Sequence, residues 1–242
     1  SRTLCGSGDP GEMVNQVRRA IILLGLGLLL GVWGCCAKAA TTPAAAAEEF
    51  PPLIPPGTGL FGSHEFRSSL RALPQWSRVM NEAGAQIDAM TRCNPDRDSC
   101  SAAALSWQKI IHEARGQSTL EQLKTVNAFF NRWPYRLDID VYGLTEYWAT
   151  PHEFLRLSGD CEDYSITKYY ALKQLGVPVD RMRIVMLIDT IRGIAHSVLV
   201  VKSGEENYVL DNLSDLVLSH KKYEHYKPQY SVNEQYRWAH IA

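Results

Sequence analysis

The chain has 242 residues, enough for one sizeable core. Hydrophobic residues at 45% and charged residues at 21% are those of an ordinary globular protein. The formal net charge of −1, with no basic block beyond Lys221-Lys222, gives no basis for a nucleic-acid partner.

From Met13 the sequence has an export pattern. Arg18 and Arg19 form a basic start, an apolar run extends from Ala20 to about Trp33, and Ala37-Lys38-Ala39 offers small residues where a signal peptidase reads. The run is short for a membrane span. The expectation is a secretory signal within residues 1–39, cleaved after about Ala39, with residues 1–12 preceding the start codon; an uncleaved membrane anchor is the alternative. Cys35 after Gly34 hints at a lipoprotein site, but Trp33 fits poorly before it. Residues 40–59 are rich in Ala and Pro and read as a linker, so one folded domain is expected over residues 60–242.

Residues 60–132 read as helical. Leu70, Leu73, Trp76, Val79 and Met80 recur at helical spacing, with Pro74 near a helix start. Leu105, Trp107, Ile110 and Ile111 mark a second helix, and Ser118 with Glu121 gives a third a capping-box start. Between the first two, Cys93 and Cys100 flank NPDRDS, a turn-forming loop short enough to be closed by a disulfide in an oxidising compartment. Cleavage of the leader would remove Cys5, Cys35 and Cys36, which makes Cys161 the odd cysteine of the mature chain. The common use of such a residue is as a small buried hydrophobe.

Residues 134–157 carry turn signals and many aromatics, and read as a loop followed by a short helix over 151–157. Asp138 and Asp140 in it are expected to be solvated, with a metal role as the alternative. A helix over 161–175 follows, which Gly176 is placed to end and Pro178 prevents from resuming. MRIVMLID, IAHSVLVVK and NYVLDNL then read as three antiparallel strands, and the tail from 219 to 242 shows no clear period.

The turn SGEE between the last two strands pairs Lys202 with Asn207, which sets Val198 opposite Asp211 and His196 diagonal to Asp211 on one face. A slip of one residue would separate them. A thiol at a helix start, where free N–H groups favour a thiolate, completes a set for nucleophilic chemistry: Cys161, His196 and Asp211. The thiol stands among acids, Asp160, Glu162 and Asp163. These either cap the helix and complement its dipole or supply hard oxygen ligands to a metal.

GDCEDYSITKYYALKQLGVP, YGLTEYWATPHEFL, AHSVLVV and YVLDN resemble the bacterial transglutaminase-like cysteine proteases, in particular the LapG-type periplasmic enzymes that release biofilm adhesins. The likeness runs from about Leu60 to the last strand; Glu146 departs from it where Asp is expected. The resemblance implies an α+β, papain-like core with Cys161 as nucleophile, His196 as general base and acid, and Asp211 as the orienting group. It also implies calcium beside the cysteine, with Asp160, Glu162 and Asp163 as candidate ligands. A periplasmic enzyme is then expected, with the N-terminal region of a large surface adhesin as substrate and an inner-membrane cyclic di-GMP receptor as inhibitor. The alternatives are a transglutaminase-type acyl transferase, which uses the same three residues, and a catalytically silent binding module.

Overall fold

The computed structural model describes residues 59–70 and 73–241. The expected leader with its expected cleavage after about Ala39, and the expected linker up to residue 58, lie outside the described residues. Six α-helices and a seven-stranded sheet make up the described part.

Helix α1 (Pro74–Arg92) takes Pro74 in its first turn, where a missing N–H costs nothing. It buries Trp76, Val79, Ala83 and Met90 along one stripe. In α2 (Ala102–Ala114) the Ser101 hydroxyl accepts the Ala104 N–H, and Trp107, Ile110 and Ile111 are buried while Leu105 points outward. Cys93 and Cys100 are joined in a disulfide that closes the loop between these helices. In α3 (Thr119–Phe130) Ser118 accepts from the Glu121 N–H, but the Glu121 side chain turns to Lys124 at 2.8 Å, so only half of the expected capping box forms.

The stretch read as a loop holds one short helix, α4 (Asp138–Tyr142), ended by Gly143 at φ 68°. Next comes α5 (Pro151–Leu157), where Thr150 and Glu153 do form a full capping box. Helix α6 (Cys161–Gln174) is buried on every side from Cys161 to Leu172, as suits a central helix.

The strands are β1 (His64–Ser68), β2 (Met182–Asp189), β3 (Ile194–Ser203), β4 (Glu206–Asp211), β5 (Ser214–Ser219), β6 (Tyr226–Val232) and β7 (Arg237–Ile241). They lie in the order β1-β7-β6-β2-β3-β4-β5, every neighbour antiparallel. Three of them, β2 to β4, coincide with the strands expected from the sequence, and Lys202 pairs with Asn207 as the turn requires.

The other four correct the reading. Residues 64–68 are a strand rather than part of a helical region, because β7, from the far end of the chain, pairs with them. The tail without a clear period supplies β6 and β7. Pro228 disguises β6: it sits where the register against β2 shifts, and such an irregularity lets an interior strand tolerate a residue with no N–H to donate.

The sheet's two faces bury different cores. Ile184, Met186, Leu199, Val201 and Leu210 join the helices in the main core. The alternate residues Val185, Leu187, Val198, Val200 and Val209 form a smaller core with Leu60 and Tyr226 on the other face. Among the described residues no helix is long and apolar enough to cross a membrane.

Candidate active site

Cys161 is the first residue of α6, and this helix packs against β3. Its sulfur is buried and lies 3.1 Å from Glu162 Oε2. One turn on, the Ser165 hydroxyl donates to the Cys161 carbonyl at 3.0 Å and lies 3.4 Å from the Ser197 hydroxyl, on the residue after His196.

His196 and Asp211 share one face of β3 and β4, and His196 Nε2 meets Asp211 Oδ1 at 3.0 Å with both side chains buried. Two further donors hold the carboxylate: the Tyr226 hydroxyl at 2.6 Å to Oδ2 and the Leu213 N–H at 2.9 Å to Oδ1. Burial alone would raise the carboxyl's pKa. The His196 ring and these hydrogen bonds outweigh burial and hold it below the usual carboxylate range. His196 Nδ1 is buried and takes no hydrogen bond, so it is the nitrogen left for proton transfer. The structure thus joins His196 to Asp211 directly, while no hydrogen bond links the Cys161 sulfur to Nδ1.

The acids form two overlapping groups. Asp160, the Cys161 sulfur and Glu162 make one; Asp138, Asp160 and Asp163 make the other, and all are buried. Asp138 is therefore not solvated as its sequence context suggested, whereas Asp140 is exposed. Asp163 Oδ1 accepts the Ala149 N–H at 2.6 Å and Oδ2 the Asp160 N–H at 3.2 Å, which staples the 147–150 segment to the start of α6. Gly159 makes room for this: a Cβ there would stand 2.0 Å from Asp163 Oδ2. Asp138 accepts the Tyr147 N–H through Oδ2.

Asp138 Oδ1 and Asp160 Oδ1 are left buried with no hydrogen-bond partner. Burial and the charge of Glu162 push Asp138 up to about 7, and burial raises Asp160, Glu162 and Asp163 well above their ordinary range. Converging buried carboxylates with orphaned oxygens suit a hard divalent cation, which takes oxygen ligands and offsets the repulsion. Of the expected ligands, Asp160 and Asp163 fit this all-oxygen group and Glu162 sits beside the Cys161 sulfur, while Asp138, for which a metal role was the alternative reading, joins the group.

A cleft of about 1100 Å³ opens next to these groups, lined among others by Trp133, Tyr135, Tyr164 and Leu213 but not by Cys161 or His196. Gly159 lies beside it through a parallel bridge to Tyr135, with the Arg136 N–H donating to Gly159 O at 2.9 Å.

Residues 80–242 match the family model of the bacterial transglutaminase-like cysteine proteinases. Among solved structures, Legionella pneumophila LapG is similar at 29% identity and a TM-score of 0.53, over 65% of this chain and 87% of that one. Its calcium-bound form gives 30% and 0.54 over 64% and 86%, and its EGTA-treated form 28% and 0.54 over 66% and 86%. No curated protein sequence matches the chain at a significant level.

Proposed function

Because the chain belongs to the bacterial transglutaminase-like cysteine proteinases, we propose that it is a calcium-dependent cysteine endopeptidase with Cys161, His196 and Asp211 as its catalytic residues. The observation that carries this reading is the buried His196–Asp211 hydrogen bond, which leaves Nδ1 as the ring nitrogen able to take a proton.

His196 Nδ1 takes the Cys161 proton, and the thiolate attacks the scissile carbonyl carbon. The N–H groups at the start of α6 favour negative charge there, and the Cys161 N–H would donate to the oxyanion. The His196 ring then gives its proton to the leaving amine, and water, deprotonated by the same ring, releases the acyl group and regenerates the thiol. Asp211, fixed by Tyr226 and Leu213, orients the ring and stabilises its charged form.

Asp138, Asp160 and Asp163 would hold the calcium, with Glu162 at its side. When bound, calcium supplies positive charge that lowers the cost of forming a thiolate among these acids. The calcium-bound form of the similar Legionella structure supports this reading.

The resemblance extends the proposal to the biology: export to the periplasm, cleavage next to small residues in the N-terminal region of a large surface adhesin, control of biofilm attachment, and sequestration by an inner-membrane cyclic di-GMP receptor. The test is incubation with adhesin fragments from the same organism, followed by product mass. Wild type should give two fragments. Cys161→Ala, and wild type in EGTA, should give none. Cleavage by Cys161→Ala at the wild-type rate would remove the nucleophile assignment. A single heavier species would indicate acyl transfer instead.

A further inference from the structure

Lys168, two turns into α6, is fully buried. An interior ammonium is costly unless it is paired, and an apolar side chain of similar size often serves stability as well or better. Its hydrogen bond is to Asn131 Oδ1 at 2.7 Å, at the end of α3. The charged groups facing it are the carboxylates of Asp211 on β4 and Asp215 on β5, while its own helix presents the Tyr164 ring 5.7 Å away.

The amide of Asn131 has two ends, and Lys168 decides which way it points. An ammonium only donates, so Oδ1 must face it and Nδ2 must face the other way. Nδ2 then reaches the carbonyls of Asp211 and Ser214, each at 3.0 Å, and Asp215 Oδ1 at 2.9 Å. These bonds clamp the turn in which the Leu213 N–H meets Asp211 Oδ1, the same oxygen that meets His196. A continuous set of contacts thus runs from Lys168 through Asn131 and the 211–214 turn to the imidazole.

We propose that Lys168 is a positioning residue for the Asp211–His196 pair: a buried cation that sets the Asn131 amide, fixes the turn carrying Asp211, and faces the Asp211 carboxylate through the interior. The proposal rests on the catalytic reading given above. A lysine that served only to pack α3 against α6 would leave kcat unchanged when replaced by an apolar side chain of similar size. Burial pushes the Lys168 amine down to about 7 against the pull of Asp211 and Asp215. Losing the proton gives the nitrogen a lone pair, so that it no longer dictates the direction of the amide.

The test is the pH titration of the His196 ring by NMR on the full chain labelled at histidine, alongside adhesin cleavage. Lys168→Met removes a positive charge near the pair and loosens the turn that carries Asp211, so the ring's titration midpoint should move. kcat should fall with KM little changed, and Lys168→Arg should move both back toward wild type. A folded Lys168→Met protein with unchanged midpoint and kcat, differing only in melting temperature, would overturn the proposal. If Lys168→Met does not fold, the lysine itself is followed in wild type and Asp211→Asn. Loss of the facing carboxylate should lower its titration point, and an unmoved one would overturn the proposal equally. The ring titration needs no substrate. Failure of the protease reading, seen as cleavage surviving in Cys161→Ala, is therefore distinguishable from failure of this one.

Discussion

Gly159→Ala is the smallest change that tests the geometry of the acid cluster. The added methyl would meet Asp163 Oδ2 at 2.0 Å and its Cβ and Cγ at 2.7 Å, and Asp163 is fully buried. Either the backbone or the carboxylate must shift. Overpacking of this kind costs about 1–3 kcal/mol. A shift that breaks one of the two backbone bonds to Asp163, from Ala149 or Asp160, adds about 1–3 kcal/mol because a buried N–H loses its acceptor. The stiffer unfolded chain returns about 0.4–1 kcal/mol. The net loss is about 2–5 kcal/mol, a large share of an ordinary domain's stability. With a urea slope of about 2 kcal/mol per molar, the unfolding midpoint should drop by about 1–2.5 M. The melting-temperature gain on adding calcium should shrink in the same variant, since Asp163 is one of the carboxylates displaced. A midpoint within about 0.3 M of wild type, with an unchanged response to calcium, would show that Asp163 is not held as described.

Asp138→Asn removes one of the three clustered carboxylates and should weaken calcium binding by about tenfold or more in calorimetric titration, with cleavage restored at saturating calcium. Equal affinity would exclude Asp138 from the ligand set. Replacing Cys93 and Cys100 together by Ser should lower stability by about 2.5 kcal/mol, the loop-entropy value for so short a ring, and leave cleavage intact; urea unfolding and the cleavage assay check this. Lys168 makes stability depend on pH with a defined sign. Its folded pKa of about 7 lies below the ordinary lysine value, so between about pH 7 and 10 the unfolded chain binds more protons and stability rises with pH. The slope should approach about 1.4 kcal/mol per pH unit and vanish in Lys168→Met, which urea unfolding across that range would show.

What the sequence disclosed is what local pattern and one turn determine. The SGEE turn fixed the β3–β4 register, and with it the meeting of His196 and Asp211. Gly176 and the Asp160-Cys161 step bounded α6, because chain reversal and helix entry have residue requirements within a few positions. Asp138 was read as solvated, with a metal role only as the alternative, because its burial comes from the 147–150 segment and the start of α6, neither of which its neighbours in sequence reveal. Tyr226 and Asn131 escaped for the same reason: each reaches Asp211 across a long stretch of chain. Nothing in the sequence pattern sets Lys168 apart, and only the burial of α6 on all sides shows its place. Strand β6 was hidden by Pro228 and β1 by having its partner at the other end of the chain.

That last pairing sets an order for folding. His64 lies opposite Ile241, so the first strand of the sheet finds its neighbour only when the last residues are present. A chain handed out from its N-terminus carries β1 as an orphan until residues 237–241 have emerged. The segment ahead of α1 cannot consolidate early, and contacts so remote in sequence form slowly. The closing of β1 on β7 is then a late event, and removal of residues 237–241 would leave β1 with no strand to join among the described residues.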